Sequence, residues 1–129
     1  MFEIEVHYWE TDSFNSYEHF EPLGIRFNTL EEARECLLVA KEHNDYIHHL
    51  RNLNNSGRPA LSFDEVVALY KDKVWYDTSN DEPDFSYYSQ YNFKFKDQII
   101  SSFYNSVCNT LYSMKIKYVL TDKDFIDFN

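Results

Sequence analysis

Glycine, proline and cysteine are scarce in this 129-residue chain, which has 2 glycines, 3 prolines and 2 cysteines. With so few glycines no glycine-rich loop can wrap a phosphate, which excludes the common nucleotide-binding motifs. Cys36 and Cys108 lie far apart among apolar residues, and we predict two reduced, buried thiols in a cytoplasmic protein. The sequence has no C-x-x-C or H-E-x-x-H motif, and the histidines lack the spacing of helical metal ligands. We therefore expect neither a metal nor a cofactor.

Long apolar runs and basic residues are also lacking. No run approaches the roughly 20 apolar residues of a membrane-spanning helix, so we expect no membrane insertion. The 22 acidic residues outnumber the 12 basic ones and give a net charge of −10. This balance argues against direct nucleic-acid binding and against an anionic membrane surface. It favours a partner protein whose surface is basic.

What the chain does contain is a regular alternation of apolar and polar residues, which predicts a single α+β domain over residues 1–129. Residues 2–9, 24–27, 91–96 and 114–120 read as strands, because every second residue is apolar. Three segments show helical spacing, at about 29–50, from residue 62, and at 98–113, and the first two begin with capping boxes. The predicted order is β-β-α-α-β-α-β, with a mostly antiparallel sheet of about four strands packed on helices. The polar sheet face would carry Glu3, Glu5, His7 and Trp9, supported by Lys94, Lys96, Lys115 and Lys117.

Acidic and aromatic residues are concentrated in "DTSNDEPDFSYYSQYNF", residues 77–93, which reads as a loop. Rings in a loop either cover the core or form a contact surface, and tyrosine is efficient at interfaces. Carboxylates can also occupy a groove that normally binds phosphates, while rings replace stacked bases. The predicted partner-binding residues are Asp77, Asp81, Glu82, Asp84, Tyr87 and Tyr88. A second group, in a predicted acidic loop over residues 12–22 and beside it, is Glu10, Asp12, Glu18 and Glu21.

Two other functions remain open from the residues alone. The outer face of the predicted helix 98–113 is small, polar and uncharged, which suits close packing in a homodimer. Its interface residues would be Ser102, Asn105, Ser106 and Asn109. A small enzyme using His7 with Glu3 or Glu5 as an acid–base pair is the third hypothesis, although no nucleophile or substrate is evident.

The opening "MFEIEVHYWETDS" and the segment "FNTLEEARECLLVAKEHND" resemble small bacteriophage-encoded accessory proteins, which pair an N-terminal strand with F-x-T-x-E-E-A at a helix start. The resemblance covers residues 1–45. This group includes anti-CRISPR and other anti-defence inhibitors, so the resemblance implies a non-enzymatic protein that blocks a host complex. Combined with the charge, it predicts an inhibitor that binds a basic, nucleic-acid-handling host protein, in the host cytoplasm, as a nucleic-acid mimic.

Overall fold

The α+β class predicted from the sequence is confirmed. The computed structural model describes residues 1–53, 62–76, 92–105 and 108–125. Within them the elements are β1 (Phe2–Thr11), β2 (Ser16–Phe27), α1 (Leu30–Leu53), α2 (Phe63–Tyr70), β3 (Asn92–Phe95), β4 (Gln98–Ser101) and β5 (Asn109–Tyr118), with single 3-10 turns at Phe103–Asn105 and Asp122–Asp124.

The main sheet has the strand order β2-β1-β5, and all its pairings are antiparallel. Strand β1 is central, and its even-numbered residues Ile4, Val6 and Tyr8 are buried. They pack in one core with Ala33 and Cys36 of α1, so the helix covers this face of the sheet. The odd-numbered residues of β1 point to the opposite face, because side chains alternate along a strand. That opposite face has no helix over it in the described part of the chain.

The helix starts expected from the sequence are also confirmed. The Thr29 side chain accepts a hydrogen bond from the backbone N–H of Glu32 at 3.2 Å, which satisfies a free donor at the start of α1. Ser62 and Glu65 form a reciprocal capping box at the start of α2. Each cap supports the helix where the local sequence placed it.

A second, two-stranded sheet consists of β3 and β4, which pair antiparallel across a two-residue turn. Lys96 in this turn has a φ of 53°, the left-handed conformation that a tight hairpin turn needs. Phe95 packs edge-on against Phe27 at 5.7 Å between ring centroids, and Lys96 forms an ion pair with Glu32 at 3.4 Å. The small sheet therefore rests on the start of α1. Lys94 and Lys96 lie in this sheet, and the prediction that they share a face with the acids of β1 is wrong.

The predicted helix over 98–113 is wrong. Residues 98–101 form β4, residues 103–105 form a 3-10 turn, and residues 109–118 form β5. Ser102 and Asn105 are buried, and the side-chain amide of Asn109 donates a hydrogen bond to the backbone carbonyl of Phe103 at 2.9 Å. These small polar residues serve the connection between β4 and β5, so they are not the exposed face of a helix. Their predicted role in a homodimer loses its structural basis, and Ser106 lies outside the described residues.

Two further expectations are wrong, one about Cys108 and one about residues 12–22. Cys108 is exposed, because it lies in the turn before β5 and not on a helical stripe, whereas Cys36 is buried as predicted. Residues 12–22 are not one long loop, because β2 already begins at Ser16. The loop shrinks to a tight hairpin connection between β1 and β2.

Candidate protein-binding surface

The distal half of the β1–β2 hairpin, residues 9–21, is called the hairpin arm below. The last buried residue of β1 is Tyr8, and beyond it both Glu10 and Thr11 are exposed. In β2 the first buried residue is Leu23. The arm contains four acidic residues and four aromatic residues but no lysine or arginine. It is therefore an acidic and aromatic projection outside the helix-covered core.

Three rings of the arm are strongly exposed. Phe14 at the tip is 92% exposed, Phe20 is 55% exposed and Tyr17 is 48% exposed. Single exposed apolar residues are ordinary on protein surfaces, but here three lie on one small projection, with Phe14 at the tip and Tyr17 and Phe20 on opposite faces. Exposed rings beside charged residues are typical of a surface that binds another protein.

Asp12 holds the tip in shape. Its Oδ1 atom accepts hydrogen bonds from the backbone N–H groups of Phe14 at 2.8 Å and Asn15 at 2.7 Å. These two bonds, that from Phe14 first, hold the pKa of Asp12 below its usual value. The sequence predicted Asp12 as a partner contact, and the structure gives it a local role in presenting Phe14.

The helix-side face of the arm carries two of the four predicted acids. The Tyr8 hydroxyl donates a hydrogen bond to Glu21 Oε2 at 3.0 Å, and the Tyr8 ring stacks on His19 at 5.0 Å. His19 Nε2 lies 3.2 Å from Glu10 Oε1. Burial, followed by the bond to Glu21, raises the pKa of Tyr8 to about 12, so this phenol stays a neutral donor at physiological pH. Glu10 and Glu21 are thus oriented by a tyrosine and a histidine.

The open face of the sheet carries Glu18 of the arm together with four rings, His7, Trp9, Phe20 and Tyr112, which we call the aromatic patch. His7 stacks on Phe20 with centroids 4.2 Å apart, and it meets Tyr112 edge-on at 4.7 Å. The Trp9 ring lies 6.4 Å from the His7 ring. Ring pairs at these distances favour one another, so the patch is an organised surface.

Tyr112 reaches the patch because of a β-bulge. His7 pairs with Ser113 and Tyr8 pairs with Leu111, which leaves Tyr112 as an extra residue of β5. Bulges redirect a side chain at the place where they occur. Tyr112 remains 71% exposed on the open face.

The acid–base pair expected between His7 and Glu3 or Glu5 does not form. Glu3 lies 3.5 Å from Arg26, and Glu5 contacts Lys117 at 2.8 Å and Lys115 at 3.5 Å. The pKa of Glu5 is lowered, most of all by its hydrogen bond to Lys117. The cross-strand charge pairing predicted for Lys115 and Lys117 is therefore present. The acid nearest to His7 is Glu18.

The predicted site residues therefore have different outcomes. The second acidic group divides between the faces of the arm, with Glu18 on the open face, Glu10 and Glu21 on the other, and Asp12 at the tip. The residues of the first group, Asp77, Asp81, Glu82, Asp84, Tyr87 and Tyr88, all lie outside the described residues, so their contact role stays a prediction.

Sequence reasoning missed the rings that accompany the second group, namely Trp9, Phe14, Phe20 and Tyr112. One signal for them existed. Trp9 is one of the odd-numbered residues of β1, which point away from the core, so its large ring does not fill the core. Such a ring indicates a contact surface, but its neighbours on that surface are known only once the strand paired with β1 is known.

The described residues hold no group of three or more His, Cys, Asp or Glu side chains able to bind a metal ion. In the same part of the chain, no helix is long and apolar enough to cross a membrane. Comparisons with protein-family models, curated proteins and solved structures gave no match. A function has therefore to be inferred from the chemistry of this surface.

Proposed function

We propose that this protein is a non-enzymatic inhibitor that binds a partner protein with a basic surface, and that the hairpin arm is a main contact. The observation that carries the proposal is Phe14, 92% exposed at the tip of a projection that has four carboxylates and no lysine or arginine. Folding of this domain does not require such a residue at that place, because Phe14 buries almost none of its surface.

The arm combines the two properties that protein recognition uses. Exposed rings lose their unfavourable contact with water when a partner covers them, and aromatic residues supply much of the energy at interfaces. The carboxylates attract a basic surface and accelerate the encounter. The net charge of −10 extends this attraction beyond the arm itself.

The partner class that fits is a protein whose basic groove normally holds nucleic acid, since carboxylates then replace phosphates and rings replace bases. The biological setting that we propose comes from the resemblance of residues 1–45, namely a phage-encoded anti-defence protein that blocks such a host complex. The predicted residues between Asp77 and Tyr88 would add a second acidic and aromatic contact to the same partner.

The test neutralises the arm without disturbing its turn. The triple variant Glu10→Gln, Glu18→Gln, Glu21→Gln keeps Asp12, and the control triple variant Glu35→Gln, Asp72→Asn, Asp122→Asn removes the same charge from exposed positions elsewhere. A partner recovered from host lysate is purified and titrated at low and high salt. We expect the arm variant to bind at least about tenfold more weakly, equivalent to about 1.4 kcal/mol, with a flatter salt dependence.

A second pair of variants tests the apolar part of the contact. Phe14→Ala should weaken binding by a factor of about ten if the ring is a central contact. The matched control is Val74→Ala, because Val74 is 90% exposed and lies outside the arm. Equal affinity of the arm variants and their controls for the partner would refute the arm as the binding element.

A further inference from the structure

The acidic residues on the open face of the sheet differ in their ion-pair partners. Glu3 has Arg26 as its partner, and Glu5 has both Lys115 and Lys117. Glu18 lies on the same face, yet no lysine or arginine contacts it among the residues that the structure describes. Among the described residues, the sheet therefore supplies each proximal acid with a lysine or arginine and leaves Glu18 without either.

What surrounds Glu18 instead is aromatic. Trp9 is its direct cross-strand partner, and Phe20 lies two residues further along β2, opposite His7. Glu18 Oε1 lies 2.7 Å from His7 Nε2, within ion-pair distance but without the geometry of a hydrogen bond. The Glu18 side chain is 40% exposed, so its carboxylate is open to a partner.

We propose that Glu18 and the aromatic patch form a binding site for an arginine side chain of the partner protein. This inference rests on the binding role proposed for the arm, and it names the group that the open face recognises. A guanidinium group is planar, stacks on ring faces, and donates paired hydrogen bonds to a carboxylate. Phe20, which is 55% exposed, and Trp9 offer rings, and Glu18 at the neighbouring position on the same face offers the carboxylate.

Charge and shape select this occupant over others. A phosphate or a carboxylate would be repelled by Glu18 and by the rest of the acidic arm. An uncharged apolar side chain would cover the rings but leave Glu18 desolvated without a partner. A lysine ammonium is compact and strongly hydrated, and it cannot stack on Phe20 or form the paired contact to Glu18. The site should therefore prefer arginine to lysine.

The experiment uses a small probe and the whole protein, so it needs no partner. Nα-acetyl-arginine amide is titrated into 15N-labelled protein at constant ionic strength, and the tryptophan indole N–H signals are followed. The chain has 2 tryptophans, and Trp75 is buried, so its signal is an internal reference. We expect saturable shifts of the Trp9 signal, with weaker binding of Nα-acetyl-lysine amide and none of Nα-acetyl-citrulline amide, which has the shape of arginine without its charge.

Two variants and one control complete the test. Glu18→Gln should weaken binding of the arginine probe roughly fivefold, as expected for loss of one exposed ion pair. Phe20→Leu should weaken it by removing the ring face. Glu35→Gln makes the same charge change at an exposed position of α1, outside the arm, and should bind as the unmodified protein does.

The inference is overturned if arginine and citrulline amides shift the Trp9 signal equally, if lysine amide binds as well as arginine amide, or if Glu18→Gln and Glu35→Gln behave alike. None of these outcomes bears on the partner titrations of the arm variants. Failure of the arginine site and failure of the arm as a contact are thus separately visible.

Discussion

A buried histidine should make this fold sensitive to acid. His43 of α1 is fully buried against Phe93 and Trp75, with ring centroids 5.1 Å and 5.5 Å away. Among the described residues, neither of its ring nitrogens has a hydrogen-bond partner. Burial therefore lowers the pKa of His43 from 6.5 to about 3, because the charged imidazolium loses its hydration.

The effect on stability follows from proton binding to the two states. Above pH 6.5 the imidazole is neutral in both the folded and the unfolded chain, and protonation contributes nothing. Between pH 6.5 and about pH 3, His43 is protonated in the unfolded chain but neutral in the folded chain, so the free energy of unfolding decreases as the pH falls. The free energy of unfolding decreases by about 1.4 kcal/mol for each pH unit, which amounts to about 2 kcal/mol between pH 6.5 and pH 5.

The measurement compares urea unfolding of the unmodified protein with that of His43→Leu at pH 7 and pH 5. The difference between the two free energies of unfolding should grow by about 2 kcal/mol in favour of His43→Leu, because other titrating groups cancel. His43→Gln provides a second side chain that does not titrate, in case leucine alters the packing. If both variants and the unmodified protein lost stability in parallel, His43 would not be the buried neutral group described here.

Two further predictions concern the thiols and a helix cap. In the native protein only Cys108 should react rapidly with a thiol reagent, because it is exposed, whereas Cys36 is buried and its pKa is raised to about 12, chiefly by that burial. We expect one reactive thiol in the native protein and two in denaturant. Two rapidly reacting thiols in the native protein would contradict this. Ser62→Ala removes the hydroxyl that accepts a hydrogen bond from the backbone N–H of Glu65 at 3.3 Å. The free energy of unfolding, measured by urea titration, should fall by about 1 kcal/mol. An unchanged urea midpoint would show that α2 does not depend on its cap.

The error over residues 98–113 shows why one chain can suggest a helix and form strands. Ile99, Ile100, Phe103 and Tyr104 have helical spacing, and Asp97 is a good N-cap. Asp is equally favoured in tight turns, and here it follows Lys96 in the hairpin turn between β3 and β4. The Ser and Asn residues of this segment have modest helix propensity, which suits turns better than a helix interior, but they were interpreted as a closely packed helix face.

The first half of β2, residues 16–21, was not predicted as a strand for a related reason. Strand periodicity is visible when one face is buried, but Tyr17, Glu18 and His19 lie where neither face of the hairpin is covered by α1. Their strand conformation depends on pairing with β1 residues that lie up to eleven positions away in sequence, such as Trp9 opposite Glu18 and Tyr8 opposite His19. The acids of the arm could be found from composition, whereas their division between two faces could not.

Local pattern alone was enough for β1, for α1 and α2 with their caps, and for the acidic character of residues 12–22. Each of these follows from contacts between residues a few positions apart, or simply from the residue types present. Only the tertiary structure decided the register of β2 on β1, the conversion of 98–113 into strands, and the bulge that brings Tyr112 beside His7. Strand pairing joins residues that are distant in sequence, and its free energy depends on the side chains of both strands. The sequence of one strand alone therefore does not determine the pairing.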